Sequence, residues 1–174
     1  KITDSEYPIT IYYAYKQKKR KKNGQQGLTG WETMLSGLIS SGFVITGTWP
    51  IRTERATKIA SLKANVLASS IVLVCRVRKP NAGQINRNQF MQQLRNELPT
   101  ALQKLQQGNI APVDLAQAAI GPGMGIYSRY DHVLEADGSN MSVRDALILI
   151  NSALDEFLTE QEVNFDAQTR WALA

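Results

Sequence analysis

The chain has 174 residues, of which 43% are hydrophobic and 20% charged, and its net charge is +5. This composition is typical of a globular protein with one domain, or one domain and a small second lobe. No apolar run approaches the ~20 residues needed to cross a bilayer, and one cysteine excludes an internal disulfide. One cysteine and one histidine also exclude a zinc site built from these residues. We expect a cytoplasmic protein with no membrane partner.

Three apolar, β-branched runs predict strands in the first half of the chain, at 9–15, 43–49 and 70–76. Pro50 is expected to close the second strand, because proline cannot donate to a ladder. The third run is apolar almost throughout, which is typical of a strand buried on both faces.

A helix is predicted between the first two strands. Thr29 and Glu32 have the capping-box spacing, and apolar residues from Trp31 to Ile39 fall on one face. Gly42 stands where a left-handed cap would end the helix. A strand–helix–strand unit predicts a parallel pair of strands, and the third strand could then pair antiparallel with the second.

The second half of the chain is predicted to be helical. Pro80 to Gln84 is a composition break, so we place a boundary there, between residues 1–79 and 80–174. Asn86 with Gln89 indicates a helix start, and Pro99 is expected to kink or split that helix. Its apolar stripe consists of Phe90, Met91, Leu94, Leu98, Leu102 and Leu105.

Three further segments complete the predicted helical region. A short helix is expected from Pro112 to about Ile120. The Gly-rich stretch 121–125 fails the dinucleotide-binding pattern and follows a helix rather than a strand, which favours a flexible turn. Ser142 with Asp145 starts a longer helix, and Asp166 could cap a last one.

A dense block of cations lies in the loop after the first strand, and two arginines of the polar loop after the second strand are candidates with it. Such blocks are solvated surface in many proteins, but they also contact the phosphates of nucleic acids. No base-reading motif accompanies them, so binding would be positional rather than sequence-specific. The candidate nucleic-acid-binding residues are Lys16, Lys18, Lys19, Arg20, Lys21, Lys22, Arg52 and Arg55.

Other chemically active residue types favour structural roles. Cys75 lies in the middle of an apolar strand, as a buried thiol would, and His132 has no nucleophile or orienting partner in the sequence. Tyr12, Tyr13 and Tyr15 could stack on a base, although alternation favours packing of Tyr13 and Tyr15 under a helix. No residue is assigned a catalytic, cofactor-binding or metal-binding role.

Several longer segments carry a family resemblance: Tyr13-Ala14-Tyr15-Lys16, Gly30-Trp31-Glu32-Thr33, Thr46-Gly47-Thr48-Trp49-Pro50, Ala68 to Arg76, Gly108 to Leu115 and Gly121-Pro122-Gly123-Met124. Together they resemble the prokaryotic adenine-specific DNA methylases that carry a zinc-ribbon insertion. The resemblance runs over nearly the whole chain. It implies an α/β fold: the C-terminal portion of a Rossmann-like methyltransferase sheet (strand–helix–strand–strand), followed by a mostly helical region.

The resemblance also implies a function for a longer parent chain. That parent would transfer a methyl group from S-adenosylmethionine to N6 of adenine in duplex DNA. The family's Asp-Pro-Pro-Tyr motif and its Gly-rich cofactor loop are not among these residues. The chain starts at Lys1 and stops at Ala174 as a cut piece would, so we expect a C-terminal fragment, inactive alone, that partners the rest of its parent.

Two alternatives remain open from the residues. One is a non-catalytic, basic nucleic-acid-binding module that uses the cations of residues 16–22. The other is a structural or oligomerisation module that uses the leucine stripe from Phe90 to Leu105 together with the long helix from Val143.

Overall fold

The computed structural model describes residues 6–14, 30–51, 70–108 and 112–163. Over these ranges the chain is a mixed α/β protein, which confirms the predicted class at that level. The strands are β1 (Ile9–Ala14), β2 (Phe43–Ile51), β3 (Ser70–Val77), β4 (Gln84–Asn86) and β5 (His132–Leu134). The helices are α1 (Gly30–Ser40), α2 (Arg87–Gln107), α3 (Pro112–Ser128) and α4 (Val143–Val163). None of the helices in these ranges combines the length and the hydrophobicity of a membrane-spanning segment.

The main sheet has the order β1-β3-β2, and β3 runs antiparallel to both neighbours. The predicted antiparallel pairing of β2 with β3 is confirmed. The predicted parallel pair is wrong as a hydrogen-bonded pair, because β3 lies between β1 and β2, which run in the same direction. The central position suits the most apolar strand, since Ile71, Leu73 and Cys75 are buried there.

A β-bulge interrupts β2. Ile45 pairs with Cys75 and Gly47 pairs with Val74, so Thr46 has no partner in the register. Pro50 lies within β2, which ends one residue later than predicted, at Ile51. A proline is tolerated there because β2 lies at the edge of the described sheet.

Helix α1 covers one face of the sheet. Its Leu35 and Trp31 join Ile45 and Leu73 in the hydrophobic core. Gly42 has φ 82° and donates its N–H to the carbonyl of Ile39, so the predicted left-handed cap is confirmed. Thr29, the other half of the predicted capping box, lies outside the described residues.

Helix α2 begins as predicted. The Asn86 side chain accepts from the Gln89 N–H, and the Gln89 side chain accepts from the Asn86 N–H, each at 2.9 Å. The helix continues past Pro99 without splitting and ends at Gln107, with Gly108 as its C-cap. Its leucine stripe lies in the core of the same chain, so burial already accounts for the stripe without an oligomer interface. The fully buried members are Phe90, Leu94, Leu98 and Leu102.

Helix α3 extends eight residues beyond the predicted end at Ile120, to Ser128. The flexible turn predicted at 121–125 is therefore wrong: the stretch is helical, and its glycines are contact points. A Cβ on Gly121 would lie 2.5 Å from Thr48 Oγ1, and a Cβ on Gly125 would lie 2.9 Å from the Ile45 carbonyl oxygen. Tertiary packing against β2 has overridden the low helix propensity of glycine.

Pro122 lies inside α3 and shows how the helix is held. Proline has no N–H, so the carbonyl of Ala118, four residues earlier, loses its helical donor. The Thr48 hydroxyl donates to that carbonyl instead, with 3.1 Å between the oxygens. The edge of β2 makes a second bond to α3, from the Ile45 N–H to Ser128 Oγ at 3.0 Å.

The rest of the chain adds a small parallel pair of strands and a capped helix. β4 pairs with β5, and neither strand was predicted because each has only three residues. Ser142 and Asp145 cap α4 through the Asp145 N–H and the Ser142 hydroxyl, as predicted. Asp166 lies outside the described residues.

One hydrophobic core contains residues from both sides of the boundary predicted near residue 80. Arg78 also joins the two sides. Its Nη2 donates to the carbonyl of Ile39 at the end of α1, and its Nε donates to the carbonyl of Ser128 at the end of α3, each at 2.9 Å. The division into 1–79 and 80–174 stays a prediction.

Candidate nucleic-acid interface

The predicted nucleic-acid-binding residues lie in two segments outside the described residues. Lys16 to Lys22 belong to segment 15–29, and Arg52 and Arg55 belong to segment 52–69. The structure does show the residues at which these two segments leave and rejoin the fold. Their positions tell whether both segments are attached to the same part of the sheet.

All four of those points lie at one end of the sheet. Ala14, the last residue of β1, and Ile51, the last residue of β2, are both in register with Ser70, the first residue of β3. Gly30, the first residue of α1, lies there too, since a Cβ on it would be 2.9 Å from the Tyr13 hydroxyl. We call this end, defined by Ala14, Gly30, Ile51 and Ser70, the carboxyl edge.

The cations of the chain are concentrated in the segments anchored at the carboxyl edge. Segments 15–29 and 52–69 hold ten of the chain's twenty Lys and Arg residues and a single acidic residue, Glu54. The three strands that lead to this edge contain one charged residue, Arg76, and no Asp or Glu. No strand carboxylate therefore opposes the approach of a polyanion to this edge.

The face of the sheet that points away from the core carries two exposed aromatic side chains. Tyr12 pairs with Val72, and Val72 pairs with Trp49, so the three residues form one row across β1, β3 and β2. Tyr12 is 75% exposed and Trp49 52%, whereas Val72 between them is 8% exposed. We call Tyr12, Val72 and Trp49 the aromatic row.

The opposite face confirms the predicted packing of Tyr13. Its ring lies 5.6 Å from that of Trp31, centroid to centroid, and Tyr13 packs against the core. Tyr15 lies outside the described residues. Trp49 was missed by sequence reasoning, although the alternation that buries Thr48 on α3 would have placed Trp49 on the other face.

A cleft of about 340 Å³ lies between the bulge of β2, α2 and α3. Arg129 and Glu97 line it and bind each other through two hydrogen bonds, Nη1 to Oε1 at 3.0 Å and Nη2 to Oε2 at 2.8 Å. These bonds raise the pKa of Arg129. The two charges of the pair cancel, so together they add no net charge to the cleft.

Cys75 and His132, the two candidate reactive side chains of the described residues, lie in different strands. Cys75 is fully buried in β3, and that burial raises the pKa of its thiol, so the nucleophilic thiolate is disfavoured. His132 is exposed on β5. Within the same ranges no three His, Cys, Asp or Glu side chains are placed to hold a metal ion.

The glycine-rich run 121–125 does not form a nucleotide-binding loop. Gly121 and Gly125 face β2, and a Cβ on Gly123 would lie 2.6 Å from the Ile150 side chain. The one glycine-rich run of the described chain is therefore packed inside the protein and cannot cradle a nucleotide.

In comparisons with known proteins, no family model, no curated protein and no solved structure matches this chain.

Proposed function

We propose that this chain is the C-terminal part of an S-adenosylmethionine-dependent, adenine-specific DNA methyltransferase. In that role it completes the sheet of the enzyme and contacts duplex DNA at the carboxyl edge. The observation that carries the DNA contact is the common anchoring of both cation-rich segments at Ala14, Ile51 and Ser70. The methyltransferase assignment rests on the resemblance of the sequence segments.

The strand topology supports the proposal. The resemblance implies a sheet that ends in a helix crossover followed by an antiparallel final hairpin. Here α1 connects the co-directional strands β1 and β2, and β3 then runs antiparallel to β2.

The outer edge of β1 supports the same role. Among the described strands β1 pairs with β3 alone, so the backbone groups on its other side are available to a further strand. In a longer parent chain, the remaining strands of the sheet would join at this edge.

The anchoring points of the cation-rich segments also agree with this function. In open α/β sheets, ligands bind outside the carboxyl ends of the parallel strands. The carboxyl ends of β1 and β2 meet where the cation-rich segments begin. A duplex held there by its phosphates would lie at the ligand-binding end of the completed sheet.

The chemistry itself belongs to residues that are not in this chain. An adenine methyltransferase must take the target base out of the duplex, and the implied Asp-Pro-Pro-Tyr pocket would hold its amine. Neither that motif nor a cofactor loop occurs here. This chain would therefore stabilise the sheet and position DNA, with no step of methyl transfer on its own side chains.

A non-catalytic nucleic-acid-binding module is the second candidate. It is favoured by the same observation, two cation-rich segments that both leave the sheet at the carboxyl edge, because that arrangement requires no enzyme to explain it. The two candidates differ in what lies upstream of Lys1 in the parent gene, and they agree on the DNA contact.

The test therefore has two parts. We expect the reading frame upstream of the Lys1 codon to encode an Asp-Pro-Pro-Tyr motif preceded by a Gly-rich loop, and the full-length product to transfer labelled methyl groups from S-adenosylmethionine to adenine in DNA. A reading frame that starts near Lys1 would contradict the methyltransferase proposal and leave the nucleic-acid-binding module.

Calorimetry should find negligible binding of S-adenosylmethionine to this chain alone. Tight binding would contradict the assignment of the cofactor site to the upstream part.

The DNA contact is measured through its salt dependence. Each phosphate that the chain engages adds about 0.9 to the slope of log affinity against log salt for duplex DNA. Replacing Lys18, Lys19, Lys21 and Lys22 by Gln should lower that slope and the affinity together. Replacing Lys104 and Lys79 by Gln, outside the two segments, is the charge control. An unchanged slope in the first variant would contradict the proposed contact.

A further inference from the structure

The sheet is covered on one face, and the side chains of its other face alternate with those of the core. The core cluster joins Leu73 of β3 to residues of all four helices, whereas the aromatic rings of the other face stay exposed. We call this other side the open face, which is made of Thr10, Tyr12, Trp49, Val72, Val74 and Arg76.

We propose that the open face binds an amphipathic helix of the polypeptide upstream of Lys1, which adds a second helical layer to the sheet. The inference rests on the proposed function, because it requires the longer parent chain. It adds the surface through which the two parts of that parent hold together, beside the strand edge of β1.

The composition of the strands favours an apolar partner for the open face. Leu73 and Cys75 point to the core and are fully buried, and Val72 and Val74, which alternate with them, are apolar as well. A strand that faces water on one side alternates apolar with polar residues, whereas a strand covered on both sides is apolar throughout. The three strands contain one charged residue, Arg76, and no Asp or Glu. The open face therefore has the chemistry of a second core surface.

The indole of Trp49 lies along the sheet and does not project from it. A Cβ on Gly47 would lie 2.7 Å from Trp49 Cζ3 and 3.0 Å from Cη2, so only glycine lets the ring lie this close. Half of the Trp49 residue nevertheless stays accessible. A flat apolar surface of this kind allows a helix to lie close to the strands.

The size of the open face favours an occupant in the same polypeptide over a free partner. Three strands about 4.8 Å apart and about 20 Å long present roughly 300 Å². A stable interface between separate proteins buries about 800 Å² on each partner. A helix of about 13 residues spans the length of the face. Such a helix needs less contact area when it is tethered, because the tether raises its effective concentration at the face.

The described chain also enters the sheet at the border of the open face. Arg76 alternates with the buried Cys75, and its Nη1 donates to the carbonyl of Glu6 at 3.0 Å. The polypeptide that precedes Glu6 therefore starts beside a residue of this face. Val72, in the aromatic row, is four residues of extended strand, or about 14 Å, from Arg76. A linker of about five residues can span that distance, so an upstream element can reach the row.

The experiment measures the rate at which an introduced cysteine reacts with a maleimide, in this chain and in the full-length product. Cys75 is fully buried, so it should not compete. Thr10→Cys places the thiol on the open face, where Thr10 is exposed and in register with Val74. Its reaction should slow by at least about tenfold in the full-length product, because a covered thiol reacts only when the covering element opens. Thr159→Cys, at an exposed position of α4, is the matched control and should react at similar rates in both proteins.

A cysteine scan of the upstream polypeptide then tests that the occupant is a helix. Disulfide formation with Thr10→Cys should recur every three to four upstream positions, because those residues share one face of a helix. Recurrence at every second position would identify a strand and would overturn the inference.

The remaining outcomes separate this inference from the proposed function. Equal rates for Thr10→Cys in the two proteins would overturn the inference, and if the full-length product still methylates DNA, the proposed function stands. Slowed labelling in a product that does not methylate DNA would support the inference and contradict the enzyme.

Two other occupants give different results. A rate that falls as the concentration of this chain alone rises would identify a second copy, and a rate that falls only when DNA is added would identify nucleic acid. Either result would overturn the inference. A reading frame that starts near Lys1 would remove the upstream helix and the methyltransferase together.

Discussion

Single glycines of α3 set the distance between that helix and β2. Gly121 and Gly125 are one turn apart, so both point at the strand, and each leaves no room for a methyl group. The neighbour that Gly121 would meet includes the backbone nitrogen of Thr48, at 2.7 Å, and a backbone atom cannot rotate away as a side chain can. The close approach of α3 to β2 therefore requires a residue without a Cβ atom at position 121.

Gly121→Ala should destabilise the protein by about 1–3 kcal/mol, because the added methyl group overpacks the contact between α3 and β2. Gly37→Ala is the matched control. Gly37 is also helical, but a Cβ there would meet nothing within 4 Å, so the change should stabilise by about 0.5–1 kcal/mol through helix propensity. The measurement is the free energy of unfolding in urea. A neutral Gly121→Ala variant would show that α3 can move away from β2 without cost.

At the scale of elements, α3 obtains a hydrogen bond from another part of the fold. Pro122 removes the helical donor to the Ala118 carbonyl, and Thr48 of β2 supplies one. Both Thr48 and Ala118 are buried, so water is not available as a substitute.

A double-mutant cycle tests this exchange of donors. Thr48→Val leaves the Ala118 carbonyl without its donor and should cost about 1–3 kcal/mol. Pro122→Ala restores a backbone N–H to the helix, so Thr48→Val should cost less in that background, with a coupling energy of about 1 kcal/mol. Additive effects of the two substitutions on the free energy of unfolding would show that the two donors do not serve the same carbonyl.

The contact between α3 and β2 also shows why some elements can be predicted from the sequence and others cannot. Asn86 with Gln89, and Ser142 with Asp145, satisfy their caps within four residues, so local patterns are sufficient to find them. Residues 121–125 carry the local signature of a turn, whereas the contacts that hold them in a helix come from β2, some 70 residues away. The position of β3 between β1 and β2 is equally non-local. The cations of the candidate interface were visible in the sequence, whereas their common anchoring edge required the strand register.

At the scale of the whole molecule, one core joins the segments on either side of residue 80. Leu73 and Ile45 of the sheet are in the same cluster as Phe90 of α2 and Ile150 of α4. Arg78 adds bonds to the ends of α1 and α3, and its side chain is only 11% exposed. Residues 1–79 and residues 80–174 would therefore each lose buried apolar contacts if the other part were absent.

We therefore expect the two segments to unfold in a single transition. The fluorescence of buried Trp31, in a Trp49→Phe, Trp171→Phe background, follows residues 1–79, while far-UV circular dichroism follows mainly the helices after residue 80. The two denaturation curves should coincide, as they do for a two-state protein. Separate midpoints would instead establish the predicted boundary as a division between independent domains.

The dependence of α3 on β2 also constrains the order of events during synthesis. A segment that contains Gly121, Pro122, Gly123 and Gly125 has little tendency to be helical by itself, so it acquires its shape on arrival at the strand. About 80 residues separate β2 from the end of α3, and at about 5–20 residues per second a ribosome takes about 4–15 s to make them. Throughout that interval the edge of β2 next to Ile45 and Thr48 stays uncovered on the nascent chain. During those seconds the chain is most open to pairing with a strand of another molecule, a hazard that ends when α3 arrives.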